Sequence, residues 1–400
     1  MIGLTRGKLK ISIKTLKRML IAIAIIAFFS FGDYPIYVYT IKVIAIIGLL
    51  IISRYIRNDS YLNWILVFFI WCALSYIWAA DKDIVISYLV WYLQAILLAY
   101  SIGTTVNDRT DIEYILKCIM AGGIILAFRS LRGVSFSSLG TFRLGNNIGY
   151  NANEFALKVS LSCIVAFRCF RESDQIIKKI INIVFFLTTL AAMLFSGSRK
   201  GILMVAIALF LYCIISSKNP IKLLKNILLA IIGLVIVYML MTKIEFLYNS
   251  FGRRFLLLLN IFDDGSYVGN SIGNRMNAVE IGIDVFKIKP MIGYGLGNYM
   301  AATGLRGYAH NNYIQILVDL GIVGIFLYYW FYVRNMVGLI TTIKNNRSLT
   351  AMLLSMLVGI VVIETGLVSF NSDYVQLVIM LCVNVIRINH RPAAEVNTNT

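Results

Sequence analysis

Residues 194–204 read LFSGSRKGILM, between the nearly uncharged runs INIVFFLTTLAAML and LMVAIALFLYCII. The five residues GSRKG hold two cations, Arg199 and Lys200, in a very short turn. Two readings are open for such a pair. It is a helix stop whose side chains snorkel to a membrane edge, or it is a pair of anion ligands pinned at the mouth of a helix bundle. Arg275 poses the same choice. It opens RMNAVEIGIDVFK, in what reads as the first turn of a helix, where the dipole disfavours a cation by roughly a few tenths of a kcal/mol. An exposed, solvated Arg costs little there. Alternatively, a guanidinium beside free helix N–H groups makes a phosphate site.

His310 is one of two histidines; the other, His390, lies near the C-terminus and reads as inert. In GYAHNNYIQILVDLGIVGIF, polarity continues from Asn311 into an apolar run. Asn312, Gln315 and Asp319 fall on one helical stripe. Polar groups in a membrane helix face a cavity or the bundle interior. A lone His is ordinarily a capping or hydrogen-bonded residue, but at such a mouth a neutral imidazole also suits a general base near neutral pH. The segment TFRLGNNIGYNANEF (141–155) adds Arg143, Asn153 and amide-rich turns. These are turn chemistry or hydrogen-bonding groups for a sugar. Arg143, Asn153, Lys200 and Asn311 are candidate substrate ligands.

Other patterns carry no chemistry. GYGLGNYM at 293–300 is glycine-rich, but no strand precedes it and no nucleotide fingerprint follows. There is no Walker sequence and no H-E-x-x-H. The six cysteines (72, 118, 163, 169, 213 and 382) lie in or beside apolar runs without paired spacing, and read as small core hydrophobes. A metal site built by the protein is not expected, nor is a cofactor.

The elements that must position these residues are membrane helices. Of 400 residues 59% are hydrophobic and 14% charged, against about 25% charged in soluble domains, and the mean hydropathy is +0.80. Many apolar runs are long enough to cross ~30 Å of hydrocarbon. The chain therefore reads as an all-α polytopic membrane protein, one integral domain over 1–400. The run from Met19 to Ile52 would be about 51 Å as one helix, and GDYP at 32–35 divides it. Spans are expected near 19–32, 36–52, 61–78, 84–102, 112–128, 154–170, 180–196, 201–217, 225–242, 313–333, 349–367 and 374–390. That makes about twelve, with both termini cytoplasmic. The basic N-terminus before the first span resembles a secretory signal without a convincing cleavage site, and reads as an uncleaved span.

The net charge of +18 follows from cytoplasmic loops rich in Lys and Arg, so no nucleic-acid partner is implied. On this layout 22 of the 37 cations lie inward and 13 outward, with Lys42 and Lys158 isolated inside spans. Twelve of the outward cations cluster at 129–143, 199–200 and 243–306, which singles out those regions. The last belongs to a loop at 243–312, too long for a plain connector. Within it Met276, Val279, Ile283 and Phe286 form an apolar stripe opposite Glu280, Asp284 and Lys287. That is an amphipathic helix for the membrane surface or for capping the bundle, stopped by Pro290. The tail RPAAEVNTNT reads as disordered.

Together, RLG…NAN before a span, SGSRKG on a short outward turn, GNRMNAVEIGIDVFKIKPMIGYGLGNY and AHNNYIQILVDLGIVGIF resemble the bacterial O-antigen polymerase and ligase family, mainly over 140–335. The resemblance implies glycosyl transfer without a metal, on the outer (periplasmic) face of the inner membrane. The donor would be a glycan on undecaprenyl diphosphate and the acceptor a hydroxyl of another glycan, in O-antigen, lipopolysaccharide or capsule synthesis, with a chain-length regulator as a further partner. By position, Arg199 and Arg275 match the arginines expected to hold the lipid diphosphate, and His310 the histidine near the acceptor hydroxyl. SGSRKG and GYGLGNY look more like polymerases than ligases. The alternatives are a ligase that moves finished glycan to lipid A-core, and a flippase of lipid-linked sugars that makes no bond. A flippase should place cations at mid-membrane and show pseudo-symmetric halves; here the cations gather at the outer mouth.

Overall fold

The computed structural model describes residues 12–31, 36–53, 57–132, 134, 143–219 and 270–390, with scattered helical positions between 221 and 243. All of the longer elements are α-helices: α1 (Ile13–Ser30), α2 (Ile36–Ser53), α3 (Ser60–Leu74), α4 (Lys82–Thr104), α5 (Arg109–Leu131), α6 (Ala152–Glu172), α7 (Ile176–Phe195) and α8 (Arg199–Ser216). They are followed by α9 (Asn270–Ile288), the short α10 (Tyr299–Thr303), α11 (Asn312–Thr342), α12 (Arg347–Ile363) and α13 (Asp373–His390). Their starts follow from the sequence. A short polar residue precedes most spans and accepts a hydrogen bond from the first turn: Asp59, Asp81, Asp108, Asn151, Ser198, Asn311 and Asn346. This relieves donors that a helix start leaves unpaired.

Among the described residues, six helices are long and apolar enough to cross a membrane: α3 with its short 3-10 extension, α4, α5, α7, α8 and α11. That is half of the twelve spans expected. α2 and α12 are shorter apolar segments. α6 carries Glu154, Lys158, Arg168, Arg171 and Glu172. The expected span at 225–242 lies largely outside the described residues, as do GDYP, most of 243–269 and the tail from 391.

The helix ends meet in two groups. On one face Lys17 pairs with Asp111 at 2.9 Å, and Arg57 and Arg387 both donate to the Val106 carbonyl. There too Arg109 reaches Asn345 and Asn389, and Arg347 reaches the Ile215 carbonyl at the end of α8. Arg168, almost fully buried, grips Glu113 through both nitrogens at 2.9 and 2.7 Å and also pairs with Glu172. The opposite face gathers the 143–150 segment, the α7–α8 turn, the 289–312 segment and the α12–α13 connection. α13 threads the centre and is buried from Tyr374 to Val385; the two amides in that stretch, Gln376 and Asn384, donate to the Phe370 and Met380 carbonyls. It packs on α4, α11 and α12. Small residues allow the close crossings: Gly103 of α4 leaves room for Met380 of α13, and Gly123 of α5 for Ser162 of α6.

Three sequence expectations change. Lys158 is not isolated: it binds Asp373 and Glu154, each at 3.0 Å, and the Phe28 carbonyl. Lys42 lies over the rings of Phe28 and Tyr39. α9 begins at Asn270, so Arg275 sits in its second turn, beyond the reach of the strongest dipole penalty. In α9, Ala278 and Gly282 are buried, with Val285 packed beside them against Tyr299 and Ile314. Of the apolar stripe expected to face the membrane surface or cap the bundle, Phe286 packs in this cluster, whereas Met276 and Ile283 are 54% and 39% exposed; the close approach of Tyr299 and Ile314 falls on Gly282.

The glycine-rich GYGLGNY is a plug that repairs a broken helix. α11 breaks at Gly321, whose φ of 70° and ψ of −169° leave the helical region. The neighbouring backbone groups bond the segment 290–295 instead. Tyr294 N donates to Val318 O and Gly295 N to Asp319 O, while Ile322 N donates to Pro290 O. A Cβ at Gly321 would collide with the Met291 carbonyl.

Candidate active site

The site grows from the α7–α8 turn. Gly197 takes a positive φ of 61°, which aims α8 back across the end of α7. Ser198 then caps α8, so Arg199 and Lys200 are its first two residues. The segment 143–153 is tied onto this turn. The Arg143 guanidinium donates to the Ser196 carbonyl at 2.9 Å and to Asn153 Oδ1 at 3.1 Å. Ser198 Oγ donates to the same Asn153 oxygen at 2.9 Å, and Leu144 N to the Phe195 carbonyl. Two stretches that were separate in the sequence form one support. Within it, Asn153 uses its carboxamide oxygen as a brace for the turn.

Lys200 occupies the centre. Its Nζ is buried and has no hydrogen-bond partner among the described residues. Its stem runs past Gly366 in the α12–α13 connection, where an added Cβ would be 3.5 Å from Cε. The charges that act on it are those of Arg275, Arg199 and Arg143. All four are basic side chains. Polar groups buried without a partner are uncommon, and a lysine held among three arginines is costly unless an anion joins them.

His310 stands beside this cluster. It is the only non-glycine residue with a positive φ among the described residues, at 54°. Left-handed backbone costs a residue with a Cβ about 1–2 kcal/mol, and such strain is found where the surroundings hold a residue for function. The surroundings here are visible. Ala309 N donates to Gln315 Oε1 at 3.1 Å, Gln315 Nε2 to Asp319 Oδ2 at 2.9 Å, and Gly297 N to the same carboxylate oxygen at 3.0 Å. Asn312, the remaining member of the polar stripe, joins the Glu364 carbonyl, Tyr329 and the backbone of Ser369 and Phe370. The stripe therefore faces the bundle interior and positions the mouth, without lining a cavity. Asn311 caps α11 through Oδ1 to Ile314 N.

The imidazole packs against Tyr308, ring centres 4.1 Å apart, and its Nδ1 is buried without a partner among the described residues. Partial burial, then the positive charges of Arg275 and Lys200, push its pKa down to about 4, so it is neutral at pH 7. A cavity of about 560 Å³ opens here, lined by Asn274, Arg275, Asn277, Arg306, Tyr308 and His310 among others. Arg306 and Tyr308 were not singled out from sequence. Arg306 belongs to an outward cation cluster, which was the signal available; Tyr308 carried none. Among the described residues, no three His, Cys, Asp or Glu side chains group as metal ligands.

The fold and site thus define a class: a multi-pass helical membrane protein with a cluster of basic side chains and a neutral histidine at one mouth of the bundle. Residues 184–329 match the family model described as O-Antigen ligase, a match that supports an O-antigen ligase/polymerase-like family. The matched segment holds Arg199, Lys200, Arg275 and His310, while Arg143 and Asn153 lie before it. No curated protein matches the chain.

Proposed function

We propose that this protein is a polysaccharide polymerase. It transfers a glycan from undecaprenyl diphosphate to a sugar hydroxyl on a second lipid-linked repeat unit, at the periplasmic face of the inner membrane. The observation that carries this reading is Lys200, whose Nζ is buried without a partner among the described residues while the charges of Arg275, Arg199 and Arg143 act on it. The bond that breaks joins the anomeric carbon to the diphosphate oxygen, and the leaving group carries away the electron pair. Cations placed beforehand around that oxygen favour the transition state, where its charge is larger than in the bound donor. The bond that forms joins the anomeric carbon to the acceptor oxygen, whose proton passes to His310. Without substrate, burial and then the cluster make His310 a weak base; a bound diphosphate offsets the cluster's field and raises its basicity. The base is thus strengthened by the donor it serves.

Twelve spans with both termini in the cytoplasm fit this function. The outward cations form the site, whereas cations on the opposite face are largely held by carboxylates and helix-end carbonyls. Polymerase is preferred on the resemblance of SGSRKG. The ligase reading is favoured by the description of the matched family. Deleting the gene and sizing the surface glycan separates them. A polymerase loss leaves lipid capped with a single repeat, and a ligase loss leaves finished polymer on undecaprenyl diphosphate. Donor trapped on the cytoplasmic side would instead indicate a flippase. Complementation with R199A or H310A should give no polymer although the protein is present in the membrane. Normal long chains from both variants would overturn the assignment.

A further inference from the structure

A second cavity, of about 450 Å³, lies between α3 and α11 at the end of the bundle opposite the active site. Its walls are apolar: Trp64, Val67, Phe326 and Trp330. Phe326 and Trp330 are 61% and 58% exposed on the outer side of α11, so the cavity opens where a membrane helix meets lipid. Its end is polar and carries both signs of charge, from Asp59 and Arg334. Asp59 Oδ1 caps α3 through Leu62 N at 3.0 Å, which fixes the carboxyl group. The other oxygen, Oδ2, is buried and has no donor among the described residues. Arg334 is exposed, rests over the Phe331 ring at 6.0 Å, and has no carboxylate partner among the described residues.

We propose that this cavity is a binding site for a zwitterionic phospholipid with a primary ammonium headgroup. One acyl chain lies along Trp64, Val67, Phe326 and Trp330. Arg334 binds the phosphate by charge-assisted hydrogen bonds, and the ammonium donates to Asp59 Oδ2. The carboxylate decides the choice of headgroup. An anionic phospholipid satisfies Arg334 but sets its own charge near a fixed carboxylate that already lacks a donor. A quaternary ammonium brings the right charge with no N–H to give. Only a primary ammonium supplies both. A guanidinium that merely snorkels predicts no such discrimination.

The test uses the purified full-length protein, stripped of lipid in detergent and titrated with phosphatidylethanolamine, phosphatidylglycerol or phosphatidylcholine while native mass spectrometry counts bound lipid. Phosphatidylethanolamine should bind about fivefold more tightly than either of the others, the scale of a partly exposed ion pair with hydrogen bonds. Asp59→Asn keeps the helix cap and should erase the preference over phosphatidylglycerol. Arg334→Gln should weaken both lipids alike. Circular dichroism of each variant confirms that the helices persist. Equal binding of the three lipids by the wild type, tighter phosphatidylglycerol binding, or an unchanged preference in Asp59→Asn would each overturn the proposal. None of these outcomes bears on polymer synthesis, so the site stands or falls apart from the enzymatic reading.

Discussion

At the scale of single residues, Lys200 and His310 are held in states that cost the apoprotein stability. The low pKa of His310 means that the unfolded chain takes up its proton first as pH falls. Folding stability at this group is therefore full above about 6.5 and is lost towards 4, the direction that linkage requires for a depressed base. Kinetics should show the same group twice. The acid limb of kcat/KM reports the free enzyme and should lie near 4. The limb of kcat reports the donor complex, where the diphosphate offsets Arg275 and Lys200, and should lie higher. Coincident limbs in a reconstituted assay would remove His310 from the role of base. Lys200→Met makes a paired prediction. It removes a buried cation from three neighbours of the same sign, so the apoprotein should gain about 1 kcal/mol in thermal unfolding. Polymer synthesis should fall at least about tenfold, the order expected for losing one charge-assisted contact in the transition state.

At the scale of elements, the break in α11 governs the site. Gly321 stops the helix so that the 290–295 segment can bond its freed backbone. Asp319 and Gln315, two and six residues before the break, then hold Gly297 and Ala309. Gly321→Ala would place a Cβ against the Met291 carbonyl in a backbone region foreign to alanine. A loss of about 2–3 kcal/mol is expected, read as a lower midpoint in thermal unfolding in detergent. Gln315→Leu keeps the packing but frees Ala309 N. It should lower kcat with little change in KM, because His310 is misplaced while the cations that bind the donor are untouched. A fall in donor affinity alone would show that the stripe serves binding.

At the scale of the whole molecule, the two ends of the bundle treat charge differently. One end neutralises its cations, as Arg168 with Glu113 and Glu172 and Lys17 with Asp111 show; at the other, Lys200 and Arg275 have no carboxylate partner among the described residues. Arg168→Ala should destabilise by about 3 kcal/mol, since it strands part-buried carboxylates. It should leave the pH limbs of any remaining activity unmoved, being at the far end. Single cysteines introduced at Gly307 and at Asn346, in a background without native thiols, should react with impermeant maleimide from opposite sides of the membrane, Gly307 from the periplasm. Labelling of both from the same side would break the proposed topology.

The sequence by itself determined the helical membrane class, most span starts and the identity of the charged candidates. Apolar run length and the polar residue before each run are local properties, and they survive folding unchanged. It also placed Arg199, Lys200, Arg275 and His310 in loops of one sidedness, because charge bias is a sum over the chain. What only the tertiary structure decided is which of these meet. In the sequence Lys200 is one of four candidate substrate ligands; the bundle buries its amine, with the charges of three arginines acting on it. Arg143 and Asn153 emerged as braces of the turn, and Asn311 as a helix cap. The glycine-rich GYGLGNY, suggestive as a string, is a backbone patch over a broken helix. The isolation of Lys158 was misjudged because periodicity and hydropathy know nothing of a partner such as Asp373 that arrives from elsewhere in the chain. Burial, strain and the pairing of charges depend on contacts distant in sequence, and only the packed bundle fixes them.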